Sequence, residues 1–202
     1  YIPCFTFDSN TESVYSGRIG KRHTRTVGSG KNRRTETYIV WRNVSGRFSH
    51  FFDDVSVVAG SKVTQKDLAK MGPFDSNRST KYDGKYLLGF SSYYYEKDIS
   101  QCWGEAKSMM DAQLKRLILS QYNYDVVDYI NIGTKHYSVT YKYVLLPVYA
   151  GHFDFKKKIY SFFVNGTNGK VTGKTPVAVW KVLVTALVGL AALVGLVYLV
   201  MQ

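Results

Sequence analysis

The stretch SVYSGRIGKRHTRT (residues 13–26), the linker VGSGKN (27–32) and the stretch TETYIVWRNVSGRFSHFF (35–52) decide the reading of this 202-residue chain. Both flanking runs are long and rich in β-branched and aromatic residues, which fit a pleated surface. The linker is built of residues that tolerate tight turns. Together they predict a long antiparallel hairpin, with Gly17, Gly20 and Gly46 marking bulges. Upstream, Ile2, Phe5 and Phe7 are separated by small or polar residues. The first 60 residues therefore read as strands.

The hairpin concentrates charge. Arg18, Lys21, Arg22, Arg25, Lys31, Arg33, Arg34 and Arg42 face a single acid, Glu36, so residues 17–42 hold +7 of the chain's net +12. Such a cluster suits an anionic lipid surface, an acidic partner protein or nucleic acid; it also suits a solvated hairpin whose cations discourage edge pairing. Tyr38 and Trp41 could stack on bases, and serve equally well as core residues. A second basic cluster, Lys156-Lys157-Lys158, falls at a predicted hairpin tip.

Beyond the hairpin, Lys62–Met71 reads as a short helix with Thr64 as N-cap, ended by Gly72-Pro73. Tyr86–Tyr95, with three consecutive tyrosines, reads as a strand. Asp98–Gln121 is the clearest helix. Asp98 and Gln101 form a capping box. Ile99, Cys102, Trp103, Ala106, Met109, Met110, Leu114, Leu117 and Ile118 recur at spacings of three and four. Tyr124–Gly173 returns to strands, with Tyr137 to Leu145 alternating. Asn165-Gly166 and Asn168-Gly169 supply turns.

Val182 to Met201 is a run of 20 uncharged, almost wholly apolar residues. At about 1.5 Å rise per residue this length matches a bilayer core of about 30 Å and predicts a transmembrane helix. Trp180, Lys181 and Tyr198 are the expected interface anchors. Ala191 and Gly195 form a small-xxx-small step suited to helix pairing. Lys170, Lys174 and Lys181 precede the run, so the positive-inside rule predicts a single-pass cell-membrane protein with its large domain in the cytoplasm. The expected fold is α+β: an antiparallel sheet with one main amphipathic helix, plus this C-terminal span. The expected domains are 1–175, a soluble α+β unit; 176–181, a short basic tether; and 182–201, the membrane helix.

Several separate blocks resemble one family. They are Ile2-Pro3-Cys4-Phe5-Thr6-Phe7-Asp8, Trp41 to Gly46 followed by Phe51 to Val55, Tyr143 to Tyr149, and Tyr160 to Gly173 followed by Pro176. In this order they resemble bacterial TFIIB-type zinc-ribbon-containing single-pass membrane proteins. The resemblance implies a zinc ribbon N-terminal to the region that starts here. It also implies a role as a membrane anchor that recruits cytoplasmic scaffolds related to phage-shock protein A and SPFH-domain proteins. Cys4 and Cys102 are single and far apart, so no zinc ligand is carried over to this chain. Its first residue is Tyr1 rather than Met, which leads us to expect a removed segment or a start inside a longer protein.

Chemistry is weakly signalled. His23, His50, His136 and His152 share no metal-ligand spacing, and the chain has no phosphate-binding glycine loop and no nucleophile elbow. His50 lies near Asp53 and Asp54, an arrangement that reads either as an acid–base cluster or as a strand end meeting an acidic turn. Asn43, Asn77 and Asn165 open formal glycosylation sequons. The expectation is a non-enzymatic membrane-anchored adaptor or structural subunit with no catalytic residues and no cofactor in this chain. Its expected partners are membrane lipid and a membrane-associated scaffold or oligomer. The candidate contact residues are Arg18, Lys21, Arg22, Arg25, Arg33, Arg34, Lys156, Lys157 and Lys158. The alternative is a membrane-tethered protein that binds nucleic acid through residues 18–42.

Overall fold

A computed structural model describes residues 1–28, 30, 33–74, 79–176 and 179–201; within the last helix it describes the side chains of 180, 181 and 184–193. Most of the ordered structure is antiparallel sheet. Strand β1 (Ile2–Val27) pairs with β2 (Arg34–Val58) on one side and with β3 (Val126–Leu146) on the other, giving the order β2-β1-β3. Helices α1 (Gln65–Met71) and α2 (Ile99–Ser120) lie between β2 and β3 in sequence. A second, smaller sheet follows, made of β4 (Val148–Phe155), β5 (Lys158–Asn165) and β6 (Val171–Gly173).

The large sheet is covered unevenly along its length, and its side-chain alternation shows why. At its base, residues 2–7 of β1 are buried on both faces. Phe5 and Phe7 pack with Phe52, Val57 and Ala59 against Cys102, Ala106, Met110 and Leu114 of α2. Ile2 and Cys4 pack on the other face with Val58, Val63, Leu68, Met71 and Leu146, with Phe163 of the small sheet against them. From Ser9 to Ile19 only the odd-numbered face is buried. There Ile19 and Val44 pack against Leu119 at the far end of α2. The even-numbered face, with Asn10, Glu12, Val14, Ser16 and Arg18, is open. Beyond Gly20 both faces are open.

Helix α2 starts where the sequence places it. The Asp98 carboxylate accepts from the Gln101 N–H at 2.7 Å, and the Gln101 side chain accepts from the Asp98 N–H at 3.0 Å. Its buried stripe is Cys102, Ala106, Met110, Leu114 and Ile118, a strict step of four. Met109, counted on the apolar face by spacing, is 36% exposed. The expected bulges at Gly17, Gly20 and Gly46 are not where the register shifts; the shifts fall between Phe7 and Ser9, Asp8 and Asn10, and Arg18 and Ile19. The glycines instead let neighbours cross. A Cβ on Gly17 would stand 2.7 Å from the Tyr129 carbonyl oxygen, and one on Gly46 would stand 2.7 Å from the Tyr15 hydroxyl.

Two expected elements are corrected. Tyr86–Tyr95 is not a strand: a 3-10 turn spans Gly84–Leu87, and the rest is irregular. Its aromatics are placed one by one, Phe90 edge-on to Tyr1 and Tyr95 edge-on to Phe5. A cross-strand ladder would satisfy the backbone; here the Tyr1 ammonium donates to the Ser91 carbonyl at 2.7 Å instead.

The second correction concerns the membrane span expected at Val182–Met201. Helix α3 runs Val179–Met201. Among the described residues, however, no helix is long and apolar enough to cross a membrane, a finding that leaves crossing by strands unaddressed. The single-pass topology and the membrane localisation drawn from that span are therefore not supported. Trp180 is 63% exposed with the Lys181 ammonium 5.8 Å from its ring centroid, and Ala191 is exposed. The side chains of Gly195 and Tyr198 lie outside the described residues.

Candidate functional site: the basic ribbon and the open edge

Strand β3 last pairs with β1 at Gly20, opposite Val126. Past that point β1 and β2 continue alone from Lys21 opposite Val40 to Val27 opposite Arg34. These seven rungs form a two-stranded ribbon of about 23 Å. Its two faces differ because side chains alternate. One face carries Lys21, His23, Arg25, Val27, Arg34, Glu36, Tyr38 and Val40. The other carries Arg22, Thr24, Thr26, Thr35, Thr37 and Ile39 and runs on into Trp41.

Local contacts order the first face. Glu36 holds Arg34 at 2.8 Å and Arg25 at 3.2 Å, so two cations share one acid. Arg25 lies over Tyr38, and His23 stacks on the same ring. The ribbon is tied at its root by Asp125. This carboxylate accepts from the Arg22 backbone N–H at 2.8 Å and from Lys21 Nζ at 3.2 Å. These contacts, the Arg22 N–H first, hold its pKa below the usual carboxylate value. Asp128 stands 3.7 Å from Arg18, which also lies over Trp41. Among the described residues, the guanidinium groups of Arg22, Arg33, Arg42 and Arg47 have no carboxylate partner; Arg42 lies over Tyr122. Lys31 lies outside the described residues.

Of the sequence-named cations, Arg18, Lys21, Arg22, Arg25, Arg33 and Arg34 thus share one region of the large sheet. Lys156, Lys157 and Lys158 do not join them. They sit on the other sheet, at the β4–β5 turn, where Lys156 and Lys157 both hold positive φ (51° and 63°) and Lys156 lies over Phe155.

Sequence reasoning missed the edge of β2. In the order β2-β1-β3 the outer side of β2 has no strand beside it among the described residues. At the base this edge is closed by a side chain: the Gln65 amide donates to the Ser56 carbonyl at 2.7 Å, and its oxygen accepts from the Val58 N–H at 2.9 Å. Gln65 thereby imitates a short neighbouring strand. Among the described residues, nothing comparable bonds the outer edge between Arg34 and Ser49. A Gln at the start of a helix that follows an edge strand was the signal available, and it cannot be distinguished from an ordinary surface Gln by composition.

The places that suggested chemistry also carry structural contacts. His50 lies edge-on to Phe52 at 4.6 Å, and its carbonyl accepts from Thr11 Oγ1 at 2.7 Å. Asp53 and Asp54 meet Asp8, all within 4.8 Å of one another. Asp8 accepts from the Asp54 N–H at 2.8 Å and from Thr140 Oγ1 at 3.0 Å, and Lys142 Nζ lies 3.1 Å from Asp54. The cluster clamps the strands at a register shift, where Asp54 has φ 51°. Among the described residues its three carboxylates are the group that could hold a metal ion, and Lys142 already supplies positive charge there. Burial pushes the Cys4 thiol up to about 12, far from a nucleophile's range. Asn165 is buried, its amide donating to the Met71 carbonyl and its oxygen accepting from Thr167, so this sequon serves as a turn anchor. Asn77 lies outside the described residues.

No family model matches the chain, and no solved structure matches it. Among curated proteins it is similar to "Uncharacterized protein YdjG" of Bacillus subtilis (strain 168), being 25% identical over 185 residues, which cover 90% of this chain and 52% of that protein. The chain spans about half the length of this relative.

Proposed function

We propose that this chain is a non-enzymatic adaptor or structural subunit that works through its sheet surface in a protein assembly. The observation that carries the reading is the uneven cover of the large sheet: a base packed on both faces supports a distal part whose even-numbered face, outer edge and ribbon are uncovered among the described residues. Large side chains stand on that open face. Val14 is 60% and Phe51 55% exposed, and a hollow there is lined by Asn10, Glu12, Phe51 and Tyr137. Exposed apolar groups rimmed by polar ones are typical of binding surfaces. The test is affinity capture from an extract of the source cells with the chain immobilised at its C-terminal end. A protein recovered in fixed stoichiometry is the expected result; recovery of no protein in such a ratio contradicts the reading.

A second reading has its own observation. A bare, basic, two-stranded ribbon has the width that a DNA major groove admits. Binding of that kind would fall steeply with salt and would be lost when Arg22, Arg25, Arg33 and Arg34 become Ala.

A further inference from the structure

We infer that the outer edge of β2, from Arg34 to Arg47, accepts an additional strand from an acidic, extended segment of a partner protein. The inference rests on the adaptor reading and names its contact. Three observations lead to it.

First, the edge is open only in part. Gln65 occupies the backbone groups of Ser56 and Val58, while the stretch toward the ribbon has no such closure among the described residues. An edge strand presents unpaired N–H and C=O groups, and proteins ordinarily blunt it with a short length, charged side chains, a bulge or a covering group. Here Gln65 closes the base, whereas among the described residues the distal part of the 25-residue strand is guarded only by arginines, a charge that repels a basic strand and admits an acidic one.

Second, the charge beside the edge has one sign. Arg33, Arg34, Arg42 and Arg47 flank it with Glu36 as the sole acid between them. Glu36 already serves Arg25 and Arg34. Side chains alternate, so Arg34 and Arg42 lie on one face of β2 and Arg47 on the other; an incoming strand with alternating acids would lay them beside Arg34 and Arg42, where opposite charges stabilise and like charges oppose. That sign argues against a second copy of this chain, whose own β2 would bring arginines to arginines.

Third, the edge carries apolar grip between its charges. Tyr38, Ile39 and Val40 are exposed at 44%, 37% and 48%. Because side chains alternate, they offer surface on both faces of the strand. Backbone bonds would supply affinity and the alternating side chains would supply selectivity, the usual division of labour in strand addition. A nucleic acid would use the same arginines but not the backbone edge, which makes the edge the discriminating feature.

The experiment uses the whole chain and three probes: a capped peptide of alternating Glu and Val about as long as the open edge, the same peptide N-methylated at consecutive central residues, and a single-stranded oligonucleotide. Binding is read by fluorescence anisotropy, and hydrogen exchange of the β2 amides is followed with and without peptide. The expected result is binding of the first peptide, slowed exchange at residues 34–47, and binding weaker by about tenfold or more for the N-methylated peptide. Charge reversal of Arg33, Arg34, Arg42 and Arg47 to Glu should weaken the first peptide similarly. Equal binding of the two peptides would show charge attraction alone and overturn the inference. So would binding of the oligonucleotide without the peptide, or no binding of either. Capture of a stoichiometric protein by both wild-type and charge-reversed chains would leave the adaptor reading standing and overturn the edge as its contact.

Discussion

The two ends of β1 obey different rules. At its base, Phe5 and Phe7 look onto α2 while Ile2 and Cys4 look onto α1, so every side chain has a cover. At its far end, residues 22–26 are all exposed and the strand is held by one neighbour only. Isolated two-stranded ribbons are marginal in water, and packing of an apolar face is what makes a sheet stable. The ribbon therefore borrows its order from the base through β1 and β2, and it contributes little stability in return. What it gains is freedom of composition. Arginine, threonine and exposed aromatics can be placed there for contact without disturbing a core.

The comparison breaks most visibly at the base. Leu114 is fully buried in the cluster that joins α2 to the sheet. Leu114→Asp leaves an unpaired carboxylate there and should cost about 4 kcal/mol or more, enough to prevent folding by circular dichroism. A variant that unfolds at the wild-type urea midpoint would show that α2 does not hold the base.

Where β3 still flanks β1, the cost should be intermediate. A Cβ on Gly17 meets the Tyr129 carbonyl oxygen at 2.7 Å, a backbone atom that cannot swing aside. Gly17→Val should destabilise by about 1–3 kcal/mol in urea titration by forcing β3 away. An unchanged midpoint would mean that β3 is not seated against β1 at this rung.

In the ribbon the cost should nearly vanish. His23 and Tyr38 are directly paired, so replacing residues 24–37 with Asn-Gly closes the hairpin by a two-residue turn. The shortened chain should keep its unfolding free energy within about 0.5 kcal/mol, as for surface changes generally. A loss of several kcal/mol would place the ribbon in the stable core and end the contrast.

Much of the framework was legible because local signals agreed with tertiary ones. The linker VGSGKN marked the hairpin, and Asp98 with Gln101 marked the start of α2. The segment 86–95 misled for the opposite reason: its tyrosines have high strand propensity, yet that propensity reflects fit to a half-buried pleated surface, and no such surface is offered there. Glycines in strands suggested bulges, whereas here they make room for Tyr15 and for the close approach of β3. The apolar run at 182–201 suggested a bilayer span by its length, its lack of charge and its flanking Trp180, Lys181 and Tyr198, a reading that the described part of α3 does not support. The basic site was legible as charge but not as geometry. Glu36 lies within reach of Arg25 and Arg34 along the hairpin, but that Asp125 holds Lys21 from more than a hundred residues away, and that the edge of β2 closes at Gln65 and opens beyond, depend on a fold no local pattern reports.

The most direct test of this division is native-state hydrogen exchange along β1 and β2 in the free protein. Exchange should be slow at residues 2–7 and 54–58, tracking global unfolding, and fast through local opening at 21–27 and 34–40. Equal protection of the ribbon and the base would contradict the division.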